Sequence, residues 1–135
     1  MNQVSTNFKT GMGGKKKPAL WWEKLHLEEV KKQCCIVCGK AGPSEAHHCF
    51  CDRITKYVGK AGHLDTIPLC DEHHQAKFQY GGFPIHGKGT FGGKKTWVAE
   101  YGPDWGYLTD TKLILYGDAL ITDEEIEQYW LENHH

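Results

Sequence analysis

Residues 35–39 read CIVCG, residues 46–48 read AHH, and residues 65–77 read DTIPLCDEHHQAK. Side chains that bind borderline metals fall here in three pairs, Cys35 with Cys38, His47 with His48 and Cys70 with His73, and His74 follows directly. Two thiolates separated by two residues can grip one zinc ion while the backbone turns its amides towards the sulfurs, and Gly39 permits the tight turn that follows. Cys34 is adjacent, but only Cys35 has this spacing to Cys38. The second pair comes about thirty residues later. Three positions apart at a helix start, Cys70 and His73 share one face and can complete a tetrahedron with the first pair. The expected structural zinc ligands are therefore Cys35, Cys38, Cys70 and His73. The competing reading is of buried cysteines with a surface histidine. His74 lies about 100° further round the helix and faces another site.

Between the two pairs, Gly42, Pro43 and Ser44 make a turn, and residues 45–50 read as a short strand. Adjacent strand residues point to opposite faces, so His47 and His48 have different tasks unless the strand bends. Residues 51–63 form a loop carrying Arg53, Lys56 and Lys60, which suits phosphate contact or simple solvation. Residues 70–78 predict a helix ended by Gly81 and Gly82, with Lys77 and Phe78 on the stripe of His74.

Upstream, residues 1–17 lack periodicity and end in Lys15, Lys16 and Lys17. They read as a flexible basic arm, phosphate-contacting or merely solubilising. Pro18 suits a first helical turn, and residues 19–32 predict a helix whose Trp21, Trp22, Leu25, Leu27 and Val30 form a broad apolar side. Its tryptophans read as core residues. Downstream, residues 94–101 predict a helix capped by Gly102 and stopped by Pro103. Residues 112–116 (KLILY) predict a strand or buried extended segment. Thr122 and Glu125 form a capping box opening a helix to about residue 132, with Ile126, Tyr129 and Trp130 as its apolar stripe.

The 135 residues predict one domain over 18–135 behind the arm. The polar start predicts no export signal and a cytosolic setting, and the absence of a run of about 18 apolar residues predicts no membrane span. In that setting, six cysteines among nine histidines point to metal rather than disulfides. The net charge of −1 hides an asymmetry: residues 1–65 carry 11 Lys/Arg against 6 Asp/Glu, and residues 66–135 carry 5 against 11. A basic front half suits a polyanionic partner.

This order of zinc knuckle, His-His strand, second metal pair and further histidine resembles the HNH (His-Me finger, ββα-metal) endonucleases over residues 35–77. A wider likeness, over about residues 18–102, is to phage recombination-enhancement (Ref-type) nucleases and their phage relatives. It is carried by PAL at 18–20, CIVCGKAGPSEAHH at 35–48, IPLCDEHH at 67–74, IHG at 85–87 and KKTWVAEYG at 94–102. The resemblance implies an α+β fold: a small ββα-metal, treble-clef-like core at residues 35–86 with its zinc knuckle, flanked by an N-terminal helix and C-terminal helices. It implies a metal-dependent DNA endonuclease in the host cytoplasm, linked to recombination, with DNA and a recombinase–DNA filament as partners. His47 and His74 take the positions of catalytic-metal ligands, with His74 counted among the catalytic residues, and His48 that of the general base. Asp65 stands where the family has the asparagine that orients the base, and His86, in the IHG motif, is a further candidate ligand. His73 replaces the more common fourth cysteine.

The chemistry implied is phosphodiester hydrolysis. An imidazole with its ordinary pKa of about 6.5 is largely neutral at neutral pH and can take a proton from water. A divalent ion, Mg²⁺ or another, stabilises charge growing on phosphate and leaving oxygens. The expected cofactors are thus structural Zn²⁺ and a catalytic divalent cation. Lys15, Lys16, Lys17, Arg53, Lys56, Lys60 and Lys77 are the expected DNA contacts. Three alternatives stand beside this: a zinc-stabilised nucleic-acid-binding module without catalysis, a zinc-ribbon-like protein–protein adaptor, and a second structural zinc drawing on Cys49 and Cys51.

Overall fold

A computed structural model describes residues 18–51, 62–75, 83–86 and 93–134. Helix α1 spans Trp21–Lys32. The Leu20 N–H, one of the donors a helix start leaves unpaired, is taken by the Glu23 carboxylate at 2.8 Å. The helix thus begins two residues later than expected, with Pro18 outside it. Trp22, His26 and Val30 recur every four residues and form its buried stripe, while Trp21 stays exposed.

The chain leaves α1 through the knuckle and returns along it. Ser44 N donates to Lys31 O at 2.7 Å and Ser44 Oγ to Gln33 O at 2.6 Å. Gly42 comes so close that a Cβ there would meet Gln33 O at 2.9 Å. Strand β1 (Glu45–His48) then pairs antiparallel with β2 (Thr66–Leu69), His47 opposite Ile67 and His48 opposite Thr66. Both strands of a two-stranded sheet are edges, which is where proline is tolerated. Pro68 opposes Ala46, and its carbonyl accepts from Ile36 N at 2.9 Å, docking the knuckle on β2.

Helix α2 (Asp71–His74) follows with Cys70 as N-cap; it is shorter than the helix expected over 70–78, and residues 76–82 lie outside the described residues. α3 (Lys94–Tyr101) has the expected bounds and ends at Gly102. A 3-10 turn, Asp104–Tyr107, leads into α4 (Leu108–Tyr116), and α5 spans Asp123–Asn133. The Thr122 capping box forms: Glu125 N donates to Thr122 Oγ1 at 3.2 Å and Thr122 N to Glu125 Oε1 at 2.9 Å.

KLILY is helical, against the expectation of a strand. Leu108 and Thr111, three apart, face the core, whereas Leu113 and Ile114 point to solvent. Gly117, at φ 73°, stops the helix and donates its N–H to Leu113 O. A five-residue apolar run fits strand and helix equally, and here it continues the helix that the 3-10 turn leads into.

The result is an α+β fold in which the described residues form two apolar clusters. One joins Cys35, Cys49, Cys51, Ile67, Leu69, Cys70, Ile85, Trp97 and Leu108 around the sheet; the other joins Trp22, Leu64, Ile121 and Ile126 where α1 meets the C-terminal helices. None of the described helices is long and apolar enough to cross a membrane.

Beside the second cluster, His26 is 1% exposed. Its Nδ1 lies 2.5 Å from the Tyr116 hydroxyl, whose oxygen accepts from Trp130 Nε1 at 3.0 Å. The hydroxyl hydrogen is thereby directed at a neutral His26. Burial, helped by the positive charge of Lys112, lowers the His26 pKa to about 4. Between that value and the ordinary 6.5, the unfolded chain binds a proton that the folded chain refuses. The stability contribution is therefore complete above pH 6.5 and is lost as pH falls towards 4. From pH 7.5 to 5.5, urea unfolding should show wild type losing about 1–1.5 kcal/mol more than His26→Leu. Parallel pH dependence of the two proteins would contradict the assignment.

Candidate metal centres

The first centre forms where the knuckle, the end of β2 and α2 meet. Cys35 N donates to Lys40 O at 2.9 Å and Gly39 N to Cys35 O at 2.8 Å, a turn that needs Gly39 at φ 80°. Cys70 O accepts from His73 N and His74 N in the first turn of α2. The ligand atoms of Cys35, Cys38, Cys70 and His73 all lie within 4.8 Å of one another. Cys38 Sγ is 3.8 Å from Cys70 Sγ, and His73 Nδ1 is 3.2 Å from Cys70 Sγ and 3.9 Å from Cys35 Sγ. A tetrahedron with zinc–sulfur bonds of about 2.3 Å has sulfur–sulfur edges of about 3.8 Å, so the cage has the dimensions of a zinc site.

Its electrostatics also fit a cation. Burial resists ionisation of Cys35, but hydrogen bonds from His73 and from the backbone at Cys70, Cys38 and Val37 bring its thiol down to about 6. Cys70, desolvated and facing Cys35 and Cys38, is pushed up to about 12. One thiolate holds off the next; a metal ion at the centre removes that conflict. His73 is fixed from behind, its carbonyl accepting from Trp97 Nε1 at 3.1 Å and from Ile85 N at 3.0 Å.

His74, next to His73 of the first centre, belongs to a second one. His47, His74 and His86 offer ring nitrogens within 4.8 Å of one another. Their ring centroids form a nearly equilateral triangle, 5.0 Å from His47 to His74, 5.1 Å from His47 to His86 and 4.9 Å from His74 to His86, each ring steeply tilted to the next. His47 comes from the buried face of β1 and His74 from α2. His86 is brought in by the backbone, its N–H donating to His74 O at 2.9 Å, and its ring stacks on Phe50.

Two carboxylates set the tautomers. His47 Nε2 donates to Asp104 Oδ2 at 2.8 Å, and His47 Nδ1 is buried without a protein partner. A carboxylate only accepts, so the proton sits on Nε2 and the lone pair of Nδ1 is left for an ion. His74 Nδ1 is likewise held by Glu45, which leaves Nε2 as its coordinating nitrogen. Burial lowers the His74 pKa against the pull of Glu45. His86 falls to about 4, by burial and then by its two imidazole neighbours. At neutral pH, His74 and His86 are therefore uncharged ligands. A His₃ set with one member, His86, exposed to solvent has the composition of an ion site that keeps a position open, whereas the Cys₃His set is closed.

Asp104 was not singled out from sequence. It is 0% exposed and also accepts from Phe50 N at 2.9 Å and Cys51 N at 3.2 Å. Burial opposes its ionisation, but the His47 and Phe50 hydrogen bonds prevail and lower its pKa. It therefore ties the end of β1 to the 3-10 turn and orients a ligand at once. Asp104→Asn should weaken ion binding at the histidine site about 10- to 100-fold while the Cys₃His zinc stays bound, measured by chelator competition. Equal affinity in the two proteins would remove Asp104 from the site.

The other sequence candidates fall as follows. His48 lies on the opposite face of β1 from His47, and its Nε2 is 3.1 Å from His63 Nδ1. Asp65 is buried at the start of β2; its carbonyl accepts from Cys49 N at 2.9 Å. Cys49 and Cys51 belong to the apolar cluster, where burial pushes both thiols up, and among the described residues neither joins a group of metal donors. Lys15, Lys16, Lys17, Arg53, Lys56, Lys60 and Lys77 lie outside the described residues. Compared with known protein families and with curated proteins, the chain matches no family model and no curated sequence.

Proposed function

We propose that the protein is a metal-dependent DNA endonuclease of the HNH type, in which β1, β2 and α2 form a ββα-metal core that zinc at Cys35, Cys38, Cys70 and His73 holds together. The observation that carries this reading is the triangle of His47, His74 and His86, whose rings offer nitrogens within 4.8 Å of one another and two of which are held by carboxylates. When bound there, a divalent ion supplies Lewis acidity to a phosphate oxygen and to the leaving 3′ oxygen. Imidazole donors favour zinc and neighbouring transition ions over magnesium, so of Mg²⁺ and another divalent cation the ligand set favours the second.

The protein's own part is orientation and proton transfer. Asp104 and Glu45 keep His47 and His74 in the ligating tautomer. His48, next to His47 in β1 but on its other face, takes a proton from the attacking water. The products are a 5′-phosphate and a 3′-hydroxyl. DNA is the substrate the basic front half suits, and the resemblance to recombination-enhancement nucleases adds a recombinase filament in the host cytoplasm as the form in which it is presented.

The test is cleavage of supercoiled and single-stranded DNA with Mg²⁺, Mn²⁺ or Zn²⁺, with and without a recombinase filament, by wild type and His48→Ala. Cleavage by wild type alone is expected. Absence of cleavage by both, with zinc and DNA binding intact, would favour a binding module instead.

A further inference from the structure

His48 is held by a residue that the family pattern does not supply. Its Nε2 lies 3.1 Å from His63 Nδ1, with the ring centroids 5.2 Å apart and the planes at 74°, an in-plane approach of nitrogen to nitrogen rather than a stack. The backbone that carries His63 is anchored on three sides. Asp65 N donates to Gly62 O at 3.0 Å and closes a turn around residues 63 and 64. Thr66 Oγ1 donates to the His63 carbonyl at 3.2 Å. Leu64 is buried in the cluster with Trp22, Ile121 and Ile126. Thr66 itself is the cross-strand partner of His48, so the sheet register places the turn beside the His48 ring.

We propose that His63 is the positioning residue for the general base: it accepts the Nε2 proton of His48 and so fixes both the plane of that ring and its tautomer. The inference rests on the nuclease reading above. Two neutral imidazoles joined through one contact share one proton between the facing nitrogens. If His48 is the donor, its Nδ1 holds the lone pair and is the atom to which the proton of water goes. If His63 were the donor, His48 Nδ1 would carry hydrogen and could not act as a base. Catalysis at His48 therefore requires the first arrangement, with His63 as the acceptor. This is the task that the resemblance gives to Asp65. His48 Nε2 meets His63 Nδ1, two positions before Asp65, on a turn that Asp65 N helps to close.

The experiment compares wild type, His48→Ala, His63→Ala and His63→Asn, each loaded with metal. Asparagine places an oxygen where His63 has Nδ1. Single-turnover DNA cleavage, DNA affinity, metal content and the ring ¹⁵N spectrum of His48 are measured. His63→Ala should lose about 10- to 100-fold in cleavage rate with DNA affinity and both ions unchanged, and His63→Asn should recover most of it. The His48 spectrum should show a single Nε2–H tautomer in wild type and a mixture in His63→Ala. Wild-type cleavage rates in His63→Ala, or an unchanged His48 tautomer, would overturn the assignment while leaving the nuclease intact. A loss that follows metal or fold, with no recovery by asparagine, would make His63 merely structural. Failure of wild type to cut would overturn the nuclease reading, and this inference with it.

Discussion

The Cys38→Ser variant is expected to lose its zinc and unfold the region around the sheet. Cys38 is exposed, so its substitution removes almost no packing; any large loss of stability must come through the metal. Serine does not ionise at neutral pH and cannot replace a thiolate ligand. Structural zinc contributes on the order of 10 kcal/mol of binding free energy, comparable with the whole stability of a domain this size. The knuckle supplies Cys35 and Cys38 and the start of α2 supplies Cys70 and His73, and the sheet between them has, among the described residues, two short strands, which do not hold without further support. Metal analysis and thermal unfolding followed by circular dichroism test this, with wild type treated with a strong chelator as the parallel. A cooperative transition at the wild-type temperature after zinc is removed would contradict it.

His86→Ala is expected to lower DNA cleavage about 100- to 1,000-fold while the Cys₃His zinc stays bound and the fold stays intact. His86 is chosen over His47 because it is exposed. Removing His47 would also strip a buried carboxylate, Asp104, of its imidazole partner and confound ligand loss with destabilisation. Thermal unfolding, metal content and cleavage measured on the same preparation separate the effects. Full activity with one ion fewer would show that the histidine centre takes no part in catalysis.

The metal donors were legible because their chemistry leaves a spacing in the chain. Cys35, Cys38, Cys70 and His73 come together as expected, and His74 faces a different site from His73 because one helical step turns it there. His86 was legible only as a family likeness; it reaches the triangle through a backbone hydrogen bond from residue 86 to residue 74, which no periodicity records. Asp104 left no signal. It lies 57 residues from His47, and in the run Pro103–Asp104–Trp105–Gly106 an aspartate reads as an ordinary turn residue. His26 was not singled out from sequence, because its partner Tyr116 lies 90 residues away. The helix at 108–116 was misread because a five-residue apolar run fits strand and helix equally. Local pattern thus specified most of the side chains that could hold an ion, and long-range packing specified what orients them.

The most direct test of two chemically distinct ion centres in one short core is anomalous diffraction at the zinc edge from crystals of the zinc-loaded protein. Two peaks are expected, one enclosed by Cys35, Cys38, Cys70 and His73 and one among His47, His74 and His86. A single peak at the cysteine cage, with the three imidazoles turned apart, would contradict it.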